Sequence, residues 1–192
     1  LEGFPLETMW ERGDMVYTLW KSRDCNISLI ATDVNTFQSE VVGMLVVPNL
    51  KEWAVSSTHN VLACYSVVTN IWGGKVGQIA GYSIADHLFH VMWSQECRLP
   101  DSVEKLCTAD RQFCFFGAHD DWGPIKTLWK REKKEGLFVK DCCLMTNSET
   151  YFDFRSVKEL AMNETHVAVF TNQSEVALID IRLRRKIMSL YL

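Results

Sequence analysis

One pattern limits this chain more than any other: a phrase of four short apolar runs, separated by polar turns, comes round four times in 192 residues. The third run of each phrase starts at Ile27 (ISLIATD), Val76 (VGQIAGYS), Ile125 (IKTLWKR) and Val176 (VALIDIR), at steps of 49, 49 and 51 residues. The last run starts at Val41, Phe89, Phe138 and Ile187, at steps of 48, 49 and 49. The second runs start near Val16, Val61, Phe113 and Val167, at steps of 45, 52 and 54. The runs are short, β-branched or aromatic, and bounded by turn residues, which predicts strands. No stretch sustains a 3.6-residue apolar period between caps, so helix is a poor alternative.

A repeat of this length in a strand-rich chain is the signature of a β-propeller, one four-stranded sheet per period. The predicted fold is therefore all-β: about four blades of four antiparallel strands, with less than about a tenth of the residues in helix. The blades are expected at 1–49, 50–102, 103–156 and 157–192, as one propeller domain. The chain starts at Leu1 and stops where a blade closes. The expectation is thus an arc of a larger ring, whose end blades leave apolar faces uncovered.

The inner strands repeat too. Leu50-Lys51-Glu52-Trp53-Ala54, Val103-Glu104-Lys105-Leu106-Cys107 and Val157-Lys158-Glu159-Leu160-Ala161 share an apolar–charged–charged–apolar–small order. The small residues Ala54, Cys107 and Ala161 suit a crowded ring centre. Two of these strands lead into Thr58-His59 and Thr165-His166. Matching places in separate blades are expected to lie far apart, so each histidine is expected to serve its own turn. In the first phrase the inner strand falls near Met9-Trp10.

The last phrase carries a family resemblance. VALIDIRLRRKI resembles the end of a WD40 repeat, where a strand closes on Trp-Asp before a short turn to the outer strand. Ile179-Asp180 stands where that pair would be, and Leu128-Trp129-Lys130 keeps the Trp but not the Asp. The upstream Gly-His pair is missing from all four phrases, so the resemblance is to a degenerate WD40-like propeller. It implies a protein–protein interaction scaffold or adaptor, of which the substrate receptors of F-box ubiquitin ligases are one type. It also implies that partners dock on the face bearing the turns between second and third strands, here 21–26, 69–74, 118–124 and 172–175.

Two of those turns carry a tryptophan beside glycine, which makes Trp72 and Trp122 candidate partner-binding anchors, with His119 and Asp121 beside the second. His119-Asp120-Asp121 is the one cluster with metal or acid–base character, but consecutive side chains diverge, so a solvated turn is the favoured reading. The turns around Lys133-Lys134 and Arg184-Arg185 form a candidate basic patch on the opposite face.

Composition narrows the classes. A net charge of −4 gives no basic excess for displacing counterions, so no nucleic-acid partner is expected. No run of 18 apolar residues or signal-like start is present, so no membrane partner is expected. Seven cysteines without a CxxC pair read as reduced, buried thiols, hence a cytoplasmic or nuclear protein without metal. Sequons at Asn26, Asn163 and Asn172 keep a second reading open, an extracellular glycosylated binding propeller. A propeller enzyme ranks last. No set of carboxylates or nucleophile repeats at the expected ring opening, and neither cofactor nor small-molecule substrate is expected.

Overall fold

The computed structural model describes residues 3–24, 26–56, 58–97, 103–120, 133–141 and 149–191. Among these there is no helix, and the strands form four separate antiparallel sheets in chain order. The first holds β1 (Gly3–Arg12), β2 (Met15–Ser22), β3 (Asn26–Asp33) and β4 (Ser39–Val46). The second holds β5 (Leu50–Ser56), β6 (Val61–Thr69), β7 (Lys75–Ala85) and β8 (Leu88–Cys97). The third holds β9 (Val103–Ala109), β10 (Gln112–Asp120), β11 (Lys133–Asp141) and β12 (Glu149–Phe152). The fourth holds β13 (Glu159–Met162), β14 (His166–Phe170), β15 (Glu175–Asp180) and β16 (Arg185–Tyr191). Each sheet is a four-stranded meander, the blade of a propeller.

The core lies between the sheets, because successive side chains of a strand point to opposite faces. In every second strand the second and fourth residues face the preceding blade, and the third and fifth face the following one. On β6, Leu62 and Cys64 join Leu19 and Leu29 of the first sheet, while Ala63 and Tyr65 join Phe113 and Phe115 of the third. On β10, Phe113 and Phe115 face back, and Cys114 and Phe116 face Val167 and Val169 of β14. Middle blades are therefore apolar on both sides, and β6 is buried without a break from Val61 to Val67. End blades are covered on one side only, so β2 and β14 alternate between buried and half-buried residues.

The interface between the second and third sheets is aromatic. Trp93 stacks on Phe113 at 4.7 Å, Phe113 on Phe115 at 6.2 Å, and Phe115 on Phe138 at 5.0 Å. Offset aromatic pairs at such distances add about 0.5–1.5 kcal/mol each beyond the area they bury. Close approach also needs glycine: a Cβ on Gly81 would lie 2.2 Å from the Trp93 ring. At the first interface a Cβ on Gly43 would lie 2.3 Å from the carbonyl oxygen of His87. His87 and Asp86 form a two-residue hairpin turn with φ of 65° and 50°, the type whose twist matches paired strands. That turn sets His87 against Tyr17 of the first sheet, Nε2 to OH at 3.3 Å.

The third blade departs from the sequence reading. By spacing, IKTLWKR (125–131) is its third strand and the run at Phe138 its outer one. In the structure the third strand is β11, in which Phe138 pairs with Phe115, and the outer strand is β12. Burial explains the difference: Leu137, Phe138 and Val139 are almost wholly enclosed, whereas the outer strands β4 and β16 are largely exposed. Residues 121–132 lie outside the described residues, so IKTLWKR has no place in the sheets described.

Phe115 sits mid-stack and 1% exposed. Phe115→Ala is expected to cost about 3–5 kcal/mol of unfolding free energy. Chemical denaturation checks this, and a loss below about 1 kcal/mol would remove the aromatic interface from its central role.

Candidate interaction surface

One end of the blades carries the β2–β3, β6–β7, β10–β11 and β14–β15 connections and forms the upper face. The β6–β7 turn is built by Asn70. Its side-chain Oδ1 accepts hydrogen bonds from the backbone N–H of Trp72 at 3.0 Å and of Gly74 at 2.9 Å. Its own N–H donates to the Gly74 carbonyl at 2.8 Å, and Gly73, at φ 77°, supplies the left-handed step. With the backbone folded onto Asn70, the two large side chains at the tip point away: Ile71 is 90% exposed and Trp72 86% exposed. Trp72 does not fold back over its blade.

The inner strands β5, β9 and β13 line an axial cleft of about 600 Å³. Ala54, Cys107 and Ala161 all line it, as the sequence pattern requires. At its upper end stand Glu52, Lys105 and Glu159, one from each inner strand at the same place in the repeated pattern. Lys21 reaches over the Trp53 ring beside them, 4.6 Å from its centroid. Burial pushes the Glu52 carboxyl above its ordinary value; the Trp53 N–H and the lysines Lys105 and Lys21 act against this, and Glu159 acts with it. This charged set at the ring centre is absent from the sequence reading. Its signal is the third residue of LKEWA, VEKLC and VKELA, masked there by alternating sign.

At the lower end of the cleft one contact spans the inner turns. His59 Nδ1 contacts Ser56 Oγ at 3.1 Å within its own turn, and its Nε2 meets Glu164 Oε1 of the fourth blade at 2.8 Å. Blades two apart thus meet at the axis, which corrects the expectation that His59 serves its own turn alone. His166 keeps to its own blade, with Nδ1 2.8 Å from Thr165 Oγ1.

The other sequence candidates fare unevenly. His119 lies near the end of β10, opposite Lys134 in the strand register; Asp121 and Trp122 lie outside the described residues. The basic patch is not one patch. Lys133 and Lys134 begin β11 at the upper end of the third blade, while Arg184 and Arg185 lie at the lower β15–β16 turn of the fourth. The cause is the same strand shift: with β11 starting at Lys133, these lysines open a third strand instead of closing a lower turn. Asp180, which stands at the Trp-Asp place, caps that lower turn, accepting from the Leu183 N–H at 2.7 Å. Asp33 does the same in the first blade, accepting from the N–H groups of Asn35 and Thr36, and those bonds lower its pKa. Among the described residues no group of three His, Cys, Asp or Glu is placed to hold a metal.

Glu52 gives a pH test. Its folded pKa lies above the unfolded value, so its charge opposes folding fully above the folded pKa, and the cost disappears below the unfolded one. Glu52→Gln is expected to raise the melting temperature at pH 7, with the gain shrinking as pH falls toward 4.5. Loss of stability at pH 7 would instead make the ionised carboxylate a structural partner of the lysines.

No protein-family model and no curated protein sequence matches the chain. Solved structures do resemble it. The β-propeller domain of Myceliophteria thermophila Cps50 (Swd1) superposes with a TM-score of 0.50 at 13% identity, over 99% of this chain and 58% of that one. A chain of a nidogen–laminin complex gives 0.51 at 10% identity, over 94% and 60%. BamB from Moraxella catarrhalis gives 0.56 at 8% identity, over 100% and 51%. The chain spans between half and three fifths of these chains. Likeness at such identities concerns the fold alone, and it agrees with the strand order: this is a β-propeller arc of four blades.

Proposed function

We propose that this chain is a non-catalytic protein-interaction scaffold that takes a partner protein on its upper face, with Trp72 and Ile71 as the anchor. The observation that carries the reading is the Asn70-braced turn. Displaying two large apolar side chains to water gains nothing for folding, whereas a rigid exposed tryptophan loses little conformational freedom when a partner covers it. The finer reading is an intracellular adaptor that presents a client to a larger assembly, the role of ubiquitin-ligase substrate receptors. Its support is the WD40-like close of the last blade and the state of the core cysteines. Cys64, Cys107 and Cys114 are buried free thiols, and Cys114 stands opposite Cys107 in the β9–β10 register without a disulfide between them.

A secreted, glycosylated propeller has one observation in its favour: Asn163 and Asn172 both lie exposed in turns. Asn163, however, already works as a turn brace, its Oδ1 accepting from the N–H groups of Thr165 and His166. Thiol titration after denaturation without reductant separates the two compartments. The intracellular reading expects all seven cysteines to react; a count of one or three would indicate bridges and secretion.

The anchor is tested with Trp72→Ala and Trp53→Ala. Trp72→Ala is expected to shift stability by less than about 0.5 kcal/mol and to weaken capture of partners by tenfold or more. Trp53→Ala, which removes a ring packed against the first interface and under Lys21, is expected to destabilise clearly. Unchanged partner capture by a folded Trp72→Ala protein would end the anchor reading.

A further inference from the structure

The β3–β4 turn on the lower face displays a side chain that its backbone disfavours. We propose that this residue, Phe37, anchors a second docking site, which takes a segment of another protein carrying apolar side chains between lysines and arginines. Asp33 closes the loop of residues 34–37. Its N–H donates to the Gln38 carbonyl at 3.0 Å, its carbonyl accepts from the Phe37 N–H at 2.8 Å, and its Oδ1 accepts from the N–H groups of Asn35 and Thr36. The last place of the loop, Phe37, lies at φ 56°.

The fourth blade repeats this turn. Asp180 Oδ1 accepts from the Leu183 N–H, Asp180 pairs with Arg185, and Arg184, in the last place, lies at φ 51°. The turn form thus calls for left-handed backbone at that place, where glycine and asparagine are at ease and a bulky side chain is an outlier. Among the described residues every other non-glycine residue with positive φ is polar or charged. The fold gains nothing in return for the ring: Phe37 is 81% exposed and joins none of the hydrophobic clusters between blades.

Charge selects the occupant. Val34, 42% exposed, adds apolar surface beside Phe37, and its N–H donates to the Asp14 carbonyl at 2.9 Å, so the β1–β2 turn lies alongside. The lower end of this blade carries Glu11, Asp14, Asp33 and Glu40 against a single cation, Arg12. The β7–β8 turn, which meets β4 at Gly43, adds Asp86. Asp33 is engaged by its turn, but among the described residues Glu11, Asp14, Glu40 and Asp86 form no ion pair. An apolar centre among unpaired carboxylates attracts a basic apolar segment and repels an acidic protein or an anionic membrane. With Trp72 on the opposite face, the scaffold then holds two partners at once.

The test uses the 192-residue chain and two labelled synthetic amphipathic peptides, one of lysine and leucine and one of glutamate and leucine in the same order, followed by fluorescence anisotropy. Phe37→Gly relieves the backbone, so it is expected to melt no lower than the unchanged chain and to bind the lysine peptide about tenfold more weakly. Glu40→Lys is expected to weaken the same binding, as is added salt. Trp72→Ala is expected to leave it unchanged, which keeps this result separate from the fate of the upper site. A lower melting temperature for Phe37→Gly would make the ring part of the fold and overturn the site. Equal affinity of the unchanged chain and Phe37→Gly, or tighter binding of the glutamate peptide, would overturn it as well. Binding to phosphatidylcholine vesicles, or a dimer in sedimentation, that disappears in Phe37→Gly would assign the ring to a lipid surface or a second copy and overturn the partner named here. Phe37→Asn, which suits the same backbone, gives the same readings and decides the question if the glycine variant fails to fold.

Discussion

A four-stranded sheet with apolar residues on both sides must have a neighbour on each, and everything else in this structure follows from that requirement. None of the four blades holds a core of its own. What is buried is buried between blades, in three successive interfaces whose side chains come from alternate positions of the same strands. The parity is strict at the second strand, so a single-residue slip there would exchange the two neighbours' surfaces and break both interfaces together. The aromatic stack from Trp93 to Phe138 shows the requirement at its most demanding. Rings from β8, β10 and β11 fit only because Gly81 leaves room for the indole.

This arrangement frees the strand ends from any part in the core. The turns contribute connection and little burial, so their side chains can serve other ends. Asn70 illustrates the consequence: a turn stabilised by its own backbone and one amide side chain can carry a tip of Ile71 and Trp72 that stands almost fully in water. The axial cleft illustrates it from inside. Small residues at the waist of β5, β9 and β13 let the inner strands converge, and the charged residues one step above them collect at a single mouth.

Much of the fold is legible in the sequence because blade-sized periodicity survives even where motif residues do not. The starts of β2, β3, β4, β6, β7, β8, β10, β14, β15 and β16 each fall within a residue or two of the sequence reading. The third blade differs for a physical reason. The strand that follows β10 begins only at Lys133, later than the period puts it, and the run IKTLWKR lies outside the described residues. Leu137-Phe138-Val139 is too continuously apolar for an outer strand, but spacing alone carries no information on depth. At the candidate site, the glycine context of Trp72 marks a turn but does not decide whether the ring stands out or folds back over its blade. The His59–Glu164 contact is not legible either, because it joins residues 105 apart through curvature that no local pattern encodes.

The two faces of the arc differ in a way that bears on where partners can be accommodated. Lower hairpins are short and held in left-handed backbone: Asn60, Asp86, His87, Asp110 and Arg184 all have positive φ. Such positions tolerate few residues, and the lower mouth is further tied by His59 and Glu164. Among the described non-glycine residues at the other end, which holds the β4–β5 connection as well, only Asn49 and Ser174 have positive φ. Length and composition can vary on that face without disturbing a strand register, because each upper loop begins and ends on strands already fixed by their neighbours. A surface assembled from such loops can change while the interfaces between blades stay the same.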